Sequence, residues 1–176
     1  MAPAEITKDD QVVLREIVDD DAEDLLAVLG DPEVMRYGTT GVATLADCRH
    51  FIETNRAAAK RTGMAGWAIC MPTDSTLLGY CRLRGDADWV GEGEIEVGYR
   101  LATRAWGRGL ATAAARLARD LAFDRFGATT LIAVIDPANT PSIRVAERLG
   151  MRPTREIMLP EYDHPDVVYT LTRADW

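Results

Sequence analysis

Hydrophobic and polar positions change period several times along the chain, and each change predicts an element. Val12–Val18 (VVLREIV) is a β-rich run with mixed faces, the first expected strand. Asp19, Asp20 and Asp21 then offer capping side chains, and Leu25, Leu26, Val28 and Leu29 form a short helical face ending at Gly30. Asp31-Pro32 breaks the chain. Thr44–Arg61 carries Leu45, Cys48, Phe51 and Ile52 on one side of an amphipathic helix. Trp67–Met71 and Leu77–Leu83 read as an antiparallel hairpin around a Pro72–Ser75 turn. Glu94–Leu101 (EIEVGYRL) alternates faces as a further strand, with Glu94, Glu96 and Gly98 sharing one face.

The second half alternates helix and strand. Leu110–Phe126 is a long Ala/Leu-rich helix closed by Gly127, Leu131–Ile135 a short apolar strand, and Asn139–Leu149 a helix closed by Gly150. Arg155–Leu159 and Val167–Leu171 are the last two expected strands. This order predicts a mixed sheet with helices on both faces. No repeat or linker divides the chain, so one domain is expected over residues 11–176, after an extension over residues 1–10.

Composition narrows the function. A chain of 176 residues, 47% hydrophobic, can bury a core without covalent staples. Its three cysteines, Cys48, Cys70 and Cys81, form no CxxC pair, and its two histidines, His50 and His164, lie far apart. Neither a disulfide framework nor a metal site is expected from them. Cys70 and Cys81 fall in expected strands and read as buried hydrophobes without a histidine partner. No apolar run is long enough to cross a membrane and the first residues carry no apolar leader, so a cytoplasmic protein without a membrane partner is expected. A net charge of −8 argues against nucleic acid as partner. The acidic segments Asp19–Asp21, Asp86–Glu96 and Glu161–Asp166 suit attraction of a cation instead. Trp89, inside GDADWVGEGE, reads equally as a lid or an interface residue.

The segment Arg104-Ala105-Trp106-Gly107-Arg108-Gly109-Leu110-Ala111 joins a strand to a helix through glycines. Such a turn lets several backbone N–H groups converge on an anion at the positive end of the helix. Arg104 and Arg108 add charge-assisted donors. No GK[ST] follows, and Thr112 stands where a dinucleotide fingerprint needs its third glycine. A pyrophosphate of another kind remains, beside the simpler reading of a tight turn.

With its neighbours, this turn resembles the acetyl-coenzyme-A pyrophosphate loop of the GNAT N-acetyltransferase superfamily. EVGYRL lies upstream of it, and Asn139-x-x-Ser142-Ile143-Arg144-Val145-Ala146-Glu147-Arg148-Leu149-Gly150-Met151 downstream. The opening LRE…DA, the stretch Asp31–Tyr37 and the ending VVYTLTRADW also match, in order from about Val12. These blocks are similar to the branch containing ribosomal-protein N-terminal alanine acetyltransferases. The resemblance implies a GNAT fold, an α/β (α+β) domain whose mostly antiparallel sheet of about six to seven strands splays between two central parallel strands. It implies acetyl-CoA as cosubstrate and no metal. Tyr99, Arg100 and Leu101 would pair through their backbone with pantetheine, the side chains of Tyr99 and Leu101 packing in the core. Trp106, Gly107, Arg108, Gly109, Leu110, Ala111 and Thr112 would hold the pyrophosphate, and Gly98 would mark a bulge that helps the strands part.

Acetyl transfer also needs a neutral amine and an exit for the thiol. Glu96 is the first candidate base, at a position where relatives carry a carboxylate facing the acetyl group, and Glu161 is its rival. Many relatives protonate the thiolate with a tyrosine where this chain has Ala146; Ser142 is the substitute its branch suggests, though it also reads as a helix-capping residue. Asn139 is either an N-cap or a pantetheine amide partner, and Arg144 is placed to reach the adenosine phosphate. The acceptor implied is a primary amine on a peptide N-terminus or on a small metabolite or antibiotic. A non-catalytic acyl-CoA sensor and a ligand-free scaffold stay open as alternatives, as does a homodimer.

Overall fold

Strand pairing is where the computed structural model departs most informatively from a plain sheet; it describes residues 3–38, 40–160 and 162–176. Among these are eight strands: β1 (Glu5–Lys8), β2 (Val13–Glu16), β3 (Gly66–Met71), β4 (Asp74–Arg84), β5 (Glu94–Leu101), β6 (Thr130–Ile135), β7 (Arg152–Ile157) and β8 (Asp166–Thr172). They form one sheet in the order β1-β2-β3-β4-β5-β6-β8-β7. Only β5 and β6 run parallel. Every other pair is antiparallel.

The helices are α1 (Ala22–Leu29), α2 (Leu45–Thr62), α3 (Leu110–Asp120) and α4 (Thr140–Arg148). α2 begins with a reciprocal cap, in which Thr44 Oγ1 accepts from the Asp47 N–H at 3.2 Å and the Asp47 carboxylate accepts from the Thr44 N–H at 2.8 Å. Leu25, Val28, Cys48 and Ile52 of α1 and α2 pack on Ala68, Cys70 and Tyr80 on one face of the sheet. On the other face Ala114 and Ala118 of α3, Val145 of α4 and Leu149, which caps α4, pack on Ile69, Leu83, Val97 and Leu131. The mixed, helix-covered sheet expected from the sequence is present, with more strands than expected. β1 lies within the stretch read as an extension, and its half-exposed residues give no periodic signal. β7 starts at Arg152 rather than Arg155, because its exposed edge leaves only its last residue partly covered.

β5 and β6 pair at only three registers, Glu94↔Thr130, Ile95↔Leu131 and Glu96↔Ile132. Beyond them β5 stays with β4 as far as Gly79↔Leu101, while β6 stays with β8 as far as Ile135↔Val167. A wedge therefore opens between Val97–Leu101 and Ala133–Ile135, with Glu96 at its apex. The expected bulge at Gly98 is not there, since the β4–β5 register runs unbroken from Arg84↔Glu96 to Gly79↔Leu101. Gly98 instead makes room for Arg82, whose Nε would stand 3.3 Å from a Cβ at that position.

One buried ion pair ties the start of the sheet to its first helix. Arg15 and Asp21 are 6% and 5% exposed and share bonds of 2.8 and 2.7 Å. Arg15 also donates to the Ser75 carbonyl at 2.7 Å, which anchors the start of β4. Replacing Arg15 by Met would strand a buried carboxylate, with an expected loss of about 3–5 kcal/mol in urea unfolding. A loss below about 1 kcal/mol would show that the pair is dispensable.

Candidate active site

The glycine turn leaves its donors free. Among the described residues, the N–H groups of Gly107 through Thr112 have no protein acceptor, whereas Ala105, Trp106 and Ala113 on either side are bonded. Gly107 and Gly109 have φ of 72° and 78°, the left-handed region open to glycine, and nothing lies within 4 Å of a Cβ on either. Gly109 is the N-cap of α3, so the row of free amides ends on the positive pole of a helix. Trp106, 46% exposed, fixes the entry to the turn by donating from Nε1 to the Leu101 carbonyl at 2.8 Å. Arg104 is exposed and donates to the Leu77 carbonyl at 3.3 Å, and Arg108 is exposed above Met71. Leu110 and Thr112 are buried and Ala111 half-buried, so they contribute backbone here.

Glu96 faces the α1–α2 side of the sheet. It is 5% exposed, and its Oε2 accepts from Arg84 Nε at 2.8 Å and from Trp89 Nε1 at 2.9 Å. The Arg84 guanidinium also lies 4.6 Å from the centre of the Trp89 ring. Oε1 has no described partner. The Trp89 turn is itself clamped: Arg155 holds both oxygens of Glu94 at 2.9 and 2.8 Å, and Glu94 accepts from the Gly91 N–H at 2.9 Å. Trp89, which the sequence left between lid and interface, faces Glu96 and fixes the direction of its carboxylate through its Nε1 hydrogen bond. Arg100 points to the same face and donates to Met35 Sδ at 3.0 Å, so only its backbone lies on the wedge.

Across the wedge, α4 presents the other group of residues. Asn139 Oδ1 accepts from the Ser142 N–H at 3.2 Å, which makes it the N-cap, and leaves its Nδ2 without a described acceptor. The Ser142 hydroxyl is likewise unengaged. Its carbonyl accepts from the Tyr99 hydroxyl at 3.3 Å, a bond that bridges β5 to α4 where the strands have parted. Burial pushes the Tyr99 phenol well above its usual range, so it stays protonated. Tyr99 and Leu101 pack with the core as expected, and Arg144 is exposed. Ser142 belongs to the α3–α4 side and Glu96 to the α1–α2 side, so the two stand on opposite faces of the sheet.

Several expectations change. Glu161 lies outside the described residues. Part of the acidic charge is held in ion pairs, Asp19 with Arg56, Asp21 with Arg15, Asp86 with Arg61, Glu94 with Arg155 and Glu96 with Arg84, while among the described residues Asp20, Asp88, Glu92 and Asp166 have no such partner. His164, which lies far from His50 in the sequence, touches Asp163 at 2.9 Å and Asp136 at 3.2 Å. Asp136 directly follows β6, and no local pattern signals that contact across 28 residues. A groove of about 480 Å³ runs along α2 past Phe51, Asn55, Arg82 and Arg84, next to the pair that holds Glu96.

The site thus combines a parallel strand pair that parts after three registers with a run of backbone amides that have no partner among the described residues. The model of the acetyltransferase (GNAT) domain matches residues 11–152, and the chain belongs to that family. It is 32% identical over 161 residues to the uncharacterised protein YkkB of Bacillus subtilis (strain 168), covering 91% of each chain. Among solved structures, a GNAT-family acetyltransferase from Bacillus anthracis superposes with a TM-score of 0.83 at 24% identity, over 96% of this chain and 98% of that one. The aminoglycoside acetyltransferase AAC(6')-Ib, solved in complex with coenzyme A, gives 0.77 at 21% identity, over 93% and 96%.

The thiols offer a check on the site. Cys48, Cys70 and Cys81 are all buried. Burial raises all three thiols, Cys81 to about 12. The folded protein should therefore resist iodoacetamide at about pH 8 and react at every cysteine once unfolded. Rapid native alkylation of Cys81, read by mass spectrometry, would reopen a thiol mechanism.

Proposed function

We propose that the chain transfers the acetyl group of acetyl-CoA to a primary amine by direct attack in a ternary complex. The observation that carries this reading is the run of unpartnered amides from Gly107 to Thr112 at the mouth of the wedge. A pyrophosphate fits that nest because glycine leaves its approach open, and an extended amide chain fits the unpaired edge of β5. The coenzyme A bound by AAC(6')-Ib on the same fold supports the assignment. Bound acetyl-CoA would supply the electrophilic thioester carbonyl. Tyr99, Arg100 and Leu101 would serve it through their backbone, Asn139 through Nδ2, and Arg104, Arg108 and Arg144 through charge.

Glu96 is the proposed base. Arg84 and Trp89 hold its Oε2, which orients the carboxylate and leaves Oε1 for the amine proton or a bridging water. Ser142, on the far face, is the proposed donor to the departing sulfur, with Glu161 the rival base. Attack from one face and departure toward the other suits a base and a donor on opposite sides of the sheet. The acceptor is a peptide N-terminus or a small amine.

Gly109→Glu should put charge and bulk into the nest and weaken acetyl-CoA binding by at least about tenfold while the fold survives. Unchanged affinity by calorimetry in the folded variant would mean the cofactor site lies elsewhere. Saturable acetyl-CoA binding without turnover on any amine or peptide would favour the sensor.

Glu96→Gln should lower kcat about 10²–10⁴-fold with acetyl-CoA affinity little changed, and higher pH should restore part of the rate. Full activity in Glu96→Gln combined with loss in Glu161→Gln would transfer the role to Glu161.

A further inference from the structure

At the C-terminal end of β6, away from the ion pair at Glu96, three ligand-bearing side chains converge. Asp136, His164 and Asp166 each bring one donor atom within 4.8 Å of the other two. The register Ile135↔Val167 sets the two aspartates side by side, one just after β6 and the other opening β8. The imidazole arrives from the connection before β8 and is held flat against the Tyr162 ring, with centroids 5.3 Å apart at 21°. Its Nδ1 is 2.9 Å from Asp163 Oδ1 and its Nε2 is 3.2 Å from Asp136 Oδ2.

Asp166 does not fit a purely structural role. It is 4% exposed, and its Oδ1 is fully buried with no hydrogen-bond partner. No described residue donates to either of its oxygens, and the nearest like charge, Asp136, is itself largely covered. An ionised carboxylate in such a place is costly without a cation or donor. Its neighbours offer only one imidazole among three carboxylates.

We infer that Asp136, His164 and Asp166 form a binding site for a divalent transition-metal cation of the zinc or manganese kind. Bonds of about 2.1 Å place ligand atoms about 3.4 Å apart at tetrahedral positions and about 4.2 Å apart when opposed. The observed spacing reaches those values with a small contraction. One cation would give Asp166 Oδ1 its missing partner and relieve the repulsion between the two aspartates. The His164–Asp163 contact supplies what metal-bound imidazoles need, a carboxylate on the second ring nitrogen that fixes tautomer and direction. A mixed nitrogen–oxygen set suits zinc, manganese or cobalt better than calcium or magnesium, which favour oxygen alone. His164 is 44% exposed through its side chain, so one side of the site stays open to water. The site also ties the β6–α4 connection, next to Asn139, to the connection before β8.

The test uses the whole chain, stripped with chelator and dialysed, then titrated with Zn²⁺ by calorimetry and with Co²⁺ by visible absorption. One equivalent of saturable binding is expected, with d–d bands for cobalt and a rise in melting temperature. His164→Ala, at a half-exposed position where folding is not at stake, should abolish all three. Asp166→Asn should do the same while circular dichroism shows the native fold, and Asp163→Asn should weaken binding about 10–100-fold. No uptake at millimolar Zn²⁺, or unchanged affinity in His164→Ala, would overturn the inference. A wild-type protein that takes no metal, in which His164→Ala and Asp166→Asn instead raise KM for the amine acceptor, would make the cluster an ammonium site and equally overturn it.

Discussion

The parting of β5 from β6 is the constraint on which the rest of the site depends. A sheet gains from continuous pairing, and unpaired strand edges are normally covered or closed. Here the two strands separate after Glu96↔Ile132, yet neither frays, because each keeps its other neighbour: β5 is held by β4 to Leu101 and β6 by β8 to Ile135. The sheet opens as two stable halves hinged at a short parallel ladder. Backbone groups exposed in this way are unsatisfied hydrogen-bonding capacity, which a ligand with its own amides can meet. The Tyr99–Ser142 bond sets how α4 sits across the gap.

Around that opening, charge is used for placement. Arg155 holds Glu94, Glu94 holds the Gly91 amide, and the resulting turn delivers Trp89 to Glu96, where Arg84 is already bound. The links run from β7 through the β4–β5 connection to the apex of the wedge, so an edge strand far from the glycine turn helps aim the carboxylate. The Glu94 carboxyl is held below its usual range chiefly by Arg155. That contribution is fully present above the unfolded carboxylate range and fades as pH falls through the folded value. The clamp is therefore an acid-sensitive part of an otherwise apolar framework.

Much of this was legible in the sequence because it is written locally. The alternation in EIEVGYRL, the glycines after Arg104 and the Asn139 cap are patterns within a dozen residues, and the structure places each on the element expected. What could not be read is made by pairing across long separations. Trp89 meets Glu96 only through a turn that Arg155 stabilises from 66 residues away, and Asp136 meets His164 and Asp166 only because β8 inserts between β6 and β7. Gly98 misled for a related reason: a glycine in a strand signals a bulge or a close neighbour with equal force, and only the position of the Arg82 side chain decides between them.

Within the proposed reaction, the same arrangement bears on the acceptor. Glu96 has given one oxygen to Arg84 and Trp89, and Glu94 is engaged by Arg155, so the base side of the site offers Oε1 alone. One unengaged oxygen can relay a proton but supplies no second carboxylate to gather a strongly basic ammonium. A lysine ammonium has a reference pKa of about 10.4 and an α-ammonium about 7.7–8.0, a difference worth about 3.5 kcal/mol at neutral pH. General base catalysis contributes about 10²–10⁴-fold, or about 3–5 kcal/mol, so a lysine would consume most of what one carboxylate can give before the acyl bond is touched. An α-amine arrives partly neutral and leaves that capacity for the transition state. If Glu96 is the base, as proposed, a single free carboxylate oxygen would serve an α-amine better than a lysine side chain.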